Sequence, residues 1–284
     1  MTHFLAGELT AAERDPRTAG FQVIPVPLER TVSYGAGTAQ GPEAIIEAST
    51  ELERLFAGSE PCTKGIATQE AVECSGPLPE VMENIAARTE SAVRAGAVPV
   101  TLGGEHALTY GAVCGIRRAV ARSIGIVQID AHADLRCAYQ GERHSHASVM
   151  QLLAEEEGIP LAQFGVRALC QEEANLRKTA NVFFRDAEEL VVGDVHAVDL
   201  PTDFPQDIYI SFDLDGLDPS ILPDTGTPVP GGLGYYQALN LLRHALKGRR
   251  LIGCDVVELA PTPGGAVSSF TAAQITYALM SLAD

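Results

Sequence analysis

Short apolar segments alternate along this chain with longer amphipathic segments. The apolar segments are rich in β-branched residues, carry almost no charge and are bounded by glycine, proline or polar residues, which is typical of buried strands. They cover residues 21–26, 98–102, 124–129, 207–212 and 251–257. The amphipathic segments predict helices over residues 42–56, 79–96, 108–122, 148–157 and 235–247. This alternation predicts an α/β fold, with a mainly parallel β-sheet covered by helices on both faces.

The composition narrows the class of protein. The chain has 284 residues, 46% of them hydrophobic, and shows no internal repeat or linker-like break, so we expect one domain over residues 1–284. A net charge of −17 argues against nucleic acid as a partner, because phosphate binding needs clustered lysine and arginine. No apolar stretch approaches the length of about 18 residues that crosses a membrane, and the first residues do not resemble a signal peptide. We therefore expect a cytoplasmic protein with no membrane partner.

The six cysteines add little chemistry. They are scattered along the chain without a CxxC pair, which argues against a zinc ribbon and against a disulfide framework. We expect them to be small buried side chains in a reducing compartment.

Acidic and imidazole side chains directly follow four of the five predicted strands. In a parallel sheet, ligands gather at the carboxyl ends of the strands, so these side chains are candidates for one common site. They are His106 in Gly-Gly-Glu-His, Asp130, His132 and Asp134 in Asp-Ala-His-Ala-Asp, Asp213 and Asp215 in Asp-Leu-Asp, and Glu258.

The spacing of these residues predicts a metal site. Asp130, His132 and Asp134 stand at i, i+2 and i+4, so in an extended chain they share one face. Asp213 and Asp215 have the same spacing. Carboxylates that converge at the mouth of an apolar sheet repel one another and lose hydration. Since no lysine or arginine lies inside either cluster, bound divalent cations are the simplest remedy.

The charge count favours two cations. Four carboxylates balance two divalent ions, and oxygen-rich ligation with imidazole suits Mn(II) better than thiolate-loving metals. Two metals about 3.5–4 Å apart lower the pKa of a bridging water and position it for attack.

A purely structural interpretation is weaker. A single Asp-x-Asp after a strand is often a capped turn, but two carboxylate clusters and two well-placed histidines argue against this here. No Gly-Lys-Ser/Thr follows Gly103 and Gly104, so we expect them to form a tight turn that presents His106. Asp218 is expected to cap the turn before Pro219 and not to bind metal.

Three motifs resemble the metal-binding signatures of the arginase/agmatinase (ureohydrolase) family. They are GGEH at 103–106, DAHAD at 130–134 and SFDLDGLDPS at 211–220. Segments 33–45, 226–233 and 255–258 are similar to further family motifs, so the resemblance extends over nearly the whole chain. It implies a three-layer, arginase-like α/β domain, two Mn(II) ions per subunit and assembly as a homotrimer or homohexamer.

The resemblance also implies the ligands of each ion. One manganese would be held by His106, Asp130, Asp134 and Asp213. The other would be held by Asp130, His132, Asp213 and Asp215, so that Asp130 and Asp213 bridge.

Further roles follow from the same resemblance. Glu258 would bind the substrate guanidinium, a task that an anionic carboxylate suits. His146 matches the family's mobile-loop histidine, which shuttles protons or orients substrate. The leaving amine would be protonated by Asp134 or through His146, and urea would remain. These roles make Asp134, His146 and Glu258 the candidate catalytic residues, and Glu258, His146 and Arg136 the candidate substrate-binding residues.

The expected reaction is manganese-dependent hydrolysis of a guanidino compound to urea and an amine, with agmatine to putrescine, a step of polyamine biosynthesis, as the first choice. Arg136 stands where arginases carry an asparagine that reads the α-amino acid end, so arginine is expected to be a poor substrate. If Arg136 points into the site, a guanidino acid such as 4-guanidinobutyrate is favoured. If it points outward, agmatine is favoured, and the agmatinase-like residues around it support this second case.

Several alternatives remain open at this stage. They are a guanidino-acid hydrolase, an arginase, a formiminoglutamase and a metal-binding scaffold subunit without activity. A deacylase on the same fold is disfavoured, because such enzymes lack the second metal and the histidine of GGEH. A scaffold is disfavoured because no ligand is lost.

Overall fold

The computed structural model describes residues 2–180 and 182–283 of the chain. Within these residues, eight strands form one sheet, in which each strand is parallel to its neighbours. They are β1 (Phe21–Val26), β2 (Ile66–Thr68), β3 (Val98–Gly103), β4 (Ile124–Ile129), β5 (Leu161–Phe164), β6 (Val182–Arg185), β7 (Asp207–Asp213) and β8 (Arg250–Val257). Their order across the sheet is β2-β1-β3-β8-β7-β4-β5-β6.

Helices cover both faces of this sheet. They are α1 (Gly41–Ala48), α2 (Leu78–Arg94), α3 (Leu108–Ala119), α4 (Val149–Gln151), α5 (Gln171–Thr179), α6 (Ala187–Val192), α7 (Tyr235–Ala245) and α8 (Ala266–Met280). Alternate side chains of a strand enter separate hydrophobic clusters, as the period of two requires. Val127 and Ile129 of β4 belong to a hydrophobic cluster with residues of α1, α7 and α8 on one face of the sheet. Ile126 belongs to a second cluster, with residues of α2, α3 and α4, on the other face. The predicted three-layer α/β fold is therefore confirmed.

The strand order positions the candidate site. Strands β3, β8, β7 and β4 are consecutive neighbours in the middle of the sheet. Each is followed by one of the acidic or imidazole clusters, so the parallel arrangement brings the four carboxyl ends, and their side chains, to one edge.

Some predicted elements have different bounds in the structure. The helix predicted over 42–56 ends at Ala48 and continues only as a 3₁₀ turn, Ser49–Glu51. The segment 148–157 is the short α4 followed by a π-helical turn, Leu152–Glu156. Strands β2, β5 and β6 and helices α5, α6 and α8 were not predicted. Helix α8 buries residues all round its C-terminal half, so it shows no polar stripe.

The cysteines are only partly as expected. Cys62 and Cys254 are buried, but Cys137 is exposed, because it lies in the loop after β4. All six are free thiols. Within residues 2–180 and 182–283, no helix has both the length and the apolar character needed to cross a bilayer.

Candidate metal centre and active site

His106 lies at the centre of the clustered side chains. Its Nδ1 lies 3.1 Å from Oδ2 of Asp130, 3.0 Å from Oδ2 of Asp134 and 3.1 Å from Oδ2 of Asp213. All four residues are buried. The loops after β3 and β4 and the end of β7 therefore meet at one point.

The tautomer of His106 shows that this point suits a cation. The hydroxyl of Ser211 donates to Oδ1 of Asp255, so it accepts a hydrogen bond from Nε2 of His106, 2.8 Å away. Nδ1 is buried and makes no hydrogen bond within the described residues. Against the lowering effect of burial, the carboxylates raise the pKa of His106 well above its ordinary value, so Nδ1 holds either a proton or, as a lone-pair donor, a metal ion. A lone pair that faces three carboxylate oxygens is unfavourable without a positive ion between them. The donor set of one imidazole and three carboxylates fits Mn(II).

A second ligand group adjoins the first. Nδ1 of His132 lies 3.0 Å from Oδ2 of Asp215 and 3.6 Å from Oδ1 of Asp130. Ligand atoms of these three residues lie close enough to share an ion, as do those of His106, Asp130 and Asp134. Asp130 belongs to both groups and offers a different oxygen to each histidine. This arrangement can hold two metal ions that share a carboxylate.

The local backbone that aims these side chains is not simply extended. Asp134 has φ 52°, in the left-handed region, and its carbonyl accepts the N–H groups of Met150 and Gln151. Asp215 lies in a 3₁₀ turn, Leu214–Gly216, after β7 ends. The expectation of an extended i, i+2, i+4 face is therefore wrong for Asp134 and Asp215. Their convergence depends on a left-handed residue and on a helical turn.

Electrostatics agree with the need for cations. Burial, followed by the negative charge of Asp130, raises the pKa of Asp134 to about 7. Burial and the charge of Asp215 raise the pKa of Asp213 well above its ordinary value. Full ionisation of this cluster at neutral pH therefore requires positive charge in the cleft.

Glu258 lies on the same cleft as the ligand groups. It has φ 67°, and its Oε1 accepts the backbone N–H of His106 at 2.6 Å. Burial raises the pKa of Glu258 to about 8. Its second carboxylate oxygen remains available for a cation, and the narrow cleft around it is also lined by Tyr34, Thr227 and His146.

His146 shares this cleft with the predicted ligands. Its ring stacks edge to face on Tyr139, with ring centroids 5.4 Å apart. Burial lowers the pKa of His146 to about 4, so the ring is neutral at neutral pH. A neutral imidazole has one nitrogen that can accept a proton.

A second cavity of about 420 Å³ adjoins the cleft, and Arg136 lines it. The Arg136 guanidinium lies 5.5 Å from the centroid of the Tyr139 ring. Its Nε lies 3.9 Å from Oε2 of the buried Glu173. We call this cavity the outer chamber. Arg136 therefore faces the outer chamber, which it shares with Asp134 and His146, so the favoured expectation that it points outward is wrong. The carboxylate of Glu173 offsets part of its charge.

The loops around the site contain Asp218 and Gly104, for which the sequence predicted structural roles. Asp218 accepts the N–H groups of Ser220, Gly231 and Gly232, so its predicted role as a turn cap is confirmed. Gly104 is required by a close approach and not by a positive φ. A Cβ at this position would lie 2.0 Å from the carbonyl oxygen of Leu28.

Sequence reasoning missed several polar residues that support the site. Ser211 and Asp255 lie within strands and inside motif segments, but the sequence assigned neither of them a role. A buried aspartate in an apolar strand is itself a signal. Asp255 accepts the hydroxyls of Thr109, Tyr209 and Ser211. The buried Glu173 belongs to an unpredicted helix and carried no motif.

The chain is similar to known proteins in both sequence and fold. The arginase family profile matches residues 19–281. An N(1)-aminopropylagmatine ureohydrolase of Synechocystis is 38% identical, over 98% of this chain and 92% of the relative. An agmatinase of Pyrococcus horikoshii is 31% identical, over 94% and 93%. The crystal structure of agmatine ureohydrolase of Thermoplasma volcanium superposes with a TM-score of 0.80 at 26% identity, covering 95% of this chain and 92% of the other.

Proposed function

Because this chain belongs to the arginase family, we propose that it hydrolyses the guanidino group of a linear amine to urea and the free amine. One observation carries the proposal. Two ligand groups share Asp130, and the carboxylate of Glu258 lies on the same cleft. A nucleophile site next to a buried anion suits attack on a cationic guanidinium carbon.

We propose that the two ligand groups hold two Mn(II) ions. The first set is His106, Asp130, Asp134 and Asp213, and the second is Asp130, His132, Asp213 and Asp215. When bound, two such ions supply a water of lowered pKa as the nucleophile. The contact of Asp213 with His106 supports its place in the first set.

The side chains around the metals bind the substrate and move its proton. The second oxygen of Glu258 accepts N–H groups of the guanidinium, which holds the carbon over the ligand groups. Asp134 or His146 carries a proton to the leaving amine, as a general acid must. The narrow cleft limits water around these groups.

The outer chamber bears on the distal end of the substrate. At about 420 Å³ it has room for on the order of a dozen water-sized groups. Glu173 lies beside Arg136 and reduces the repulsion that its guanidinium exerts on an amine in this chamber. We propose an agmatine-type amine as substrate. The second candidate is N1-aminopropylagmatine, because the outer chamber of about 420 Å³ adjoins the cleft that Glu258 lines, and the similar Synechocystis enzyme is named for this compound.

A substrate panel tests the proposal. The purified protein is loaded with Mn(II), and kcat/KM for urea release is measured with agmatine, N1-aminopropylagmatine, 4-guanidinobutyrate and arginine. We expect the two amines to be the best substrates. No urea from any of the four at full metal loading would overturn the hydrolase and favour a scaffold subunit. If arginine is the best substrate, the proposed specificity for amines is wrong. If 4-guanidinobutyrate is the best substrate, the charge of Arg136 is available to bind the carboxylate of the substrate.

We further propose that residues 1–284 form one catalytic domain that assembles as a homotrimer or homohexamer in the cytoplasm. The single sheet supports one domain, and six free thiols suit a reducing compartment. Sedimentation equilibrium of the purified protein measures the assembly.

A further inference from the structure

Thr31 connects His146 to a buried carboxylate outside the two ligand groups. The Thr31 hydroxyl lies 3.0 Å from Oε1 of Glu105 and 3.1 Å from Nδ1 of His146. It also accepts the backbone N–H of His146 at 3.0 Å. Glu105 is fully buried. Three residues that are far apart in the sequence therefore form one chain of hydrogen bonds.

The carboxylate of Glu105 determines which way the hydroxyl proton of Thr31 points in this chain of hydrogen bonds. Its Oε2 accepts the backbone N–H groups of Arg30 and Thr31, both at 2.6 Å. Burial raises the pKa of Glu105, whereas the two backbone N–H groups on Oε2 and the hydroxyl on Oε1 each stabilise the ionised form. With a donor placed on each oxygen, the geometry is that of an ionised acceptor. The single hydroxyl proton of Thr31 therefore points to Glu105, and its oxygen is left with acceptor sites only.

The tautomer of His146 follows from this direction. One acceptor site of the Thr31 hydroxyl receives the backbone N–H of His146. The other faces Nδ1, so Nδ1 must be the nitrogen that carries a proton. The remaining ring nitrogen, Nε2, then holds the lone pair of the neutral imidazole.

We propose that Glu105 and Thr31 are positioning residues that hold His146 as the Nδ1–H tautomer, leaving Nε2 as the nitrogen that takes and returns the proton in the cleft. The inference rests on the proposed ureohydrolase function for its kinetic consequence, but the tautomer itself does not. Nε2 accepts a proton released during attack and passes the same proton to the leaving amine, while Glu105 stays ionised throughout. The edge-to-face contact with Tyr139 holds the ring plane at the same time.

Glu105→Gln reverses the chain without changing the size of the side chain. The carbonyl oxygen of the glutamine must occupy the Oε2 position, because two backbone N–H groups point at it. Its NH₂ group then donates to Thr31, whose hydroxyl proton turns to Nδ1 of His146 and forces the Nε2–H tautomer. General acid–base groups contribute about 10²–10⁴-fold, so we expect kcat to fall about 100-fold with KM and manganese content unchanged.

Neutron diffraction of deuterium-exchanged, manganese-loaded crystals locates the proton directly. We expect a deuteron on Nδ1 of His146 in the wild type and on Nε2 in Glu105→Gln. A deuteron on Nε2 in the wild type, or the same tautomer in both proteins, would overturn the inference. Wild-type kcat in Glu105→Gln, or loss of manganese from it, would do so as well. If the wild type releases no urea, the proposed function fails while the neutron result still decides the tautomer.

If Glu105→Gln does not fold, a pair of Thr31 variants tests the same inference. Thr31→Val keeps the shape of the side chain and removes the hydroxyl, whereas Thr31→Ser keeps the hydroxyl. We expect kcat to fall at least tenfold in the valine variant, with unchanged KM, and to be largely restored in the serine variant. Equal kcat in the two variants would show that the hydroxyl does not act through His146.

Discussion

Burial raises the pKa of Glu258 to about 8, but a bound guanidinium favours its ionised form. Replacing Glu258 with glutamine removes that carboxylate and keeps the size of the side chain. Oε1 of Glu258 accepts the backbone N–H of His106 at 2.6 Å. A glutamine must place its carbonyl oxygen there, because an amide NH₂ group cannot accept a hydrogen bond. The NH₂ group then takes the position of Oε2. It presents donors to a guanidinium, which itself offers only donors.

The expected loss follows from the burial of this contact. Truncating one partner of a buried, hydrogen-bonded charge pair costs about 2–5 kcal/mol, and about 1.4 kcal/mol corresponds to a factor of ten. Glu258 is buried, and the replacement adds a donor–donor clash, so the loss lies above the lower limit. We expect kcat/KM for agmatine or N1-aminopropylagmatine to fall by at least about 100-fold. Manganese content stays at the wild-type level, since Glu258 belongs to neither ligand group.

The assay compares urea release and bound manganese in the same samples. Glu53→Gln is the matched control, because Glu53 is exposed and, within the described residues, its side chain makes no hydrogen bond or ion pair. This variant should keep wild-type kcat/KM. If Glu258→Gln also keeps it, Glu258 does not anchor the guanidinium. If Glu258→Gln loses manganese, the carboxylate supports the metals and its proposed role must be reassigned.

Further outcomes are expected at the metals, at the proton carrier and in the fold. Protein stripped of metal by a chelator should be inactive, and its activity should recover as Mn(II) is titrated back. Elemental analysis of Asp130→Asn or Asp213→Asn should show loss of metal from both sites. A metal-free protein that is active would refute the metal requirement. His146→Ala should lower kcat about 100-fold with manganese stoichiometry unchanged, and metal loss would place His146 among the ligands. Gly104→Ala should lower the free energy of unfolding in urea by about 1–3 kcal/mol, because its Cβ would meet the Leu28 carbonyl oxygen at 2.0 Å; an unchanged midpoint would show that the backbone yields freely.

The predicted and observed elements agree best where the local pattern is strong. Strands β1 and β4 have the predicted bounds, because each is a mainly apolar run with clear limits: Gly20 and Pro27 flank β1, and Ser123 and Asp130 flank β4. Strands β2, β5 and β6 have only three or four residues, too few to show a period. Helix α8 lacks a polar stripe, so its periodicity was hidden.

The local pattern of the sequence was enough to identify the candidate site residues and the strand ends on which they lie. Asp130 and Asp213 could be identified in this way because a charged residue directly after a buried strand is visible in the local pattern. The tertiary structure alone decided that β3, β8, β7 and β4 are neighbours, which brings His106 within 3.1 Å of both carboxylates.

The tertiary structure also decided the contacts that orient the site. Thr31 meets Glu105 across 74 positions of sequence and His146 across 115. Glu173 reaches Arg136 from a helix that the pattern did not predict. Hydrophobic periodicity reports only how each segment faces the core. Which distant segments share a hydrogen bond depends on how the layers pack, and no local pattern records that packing.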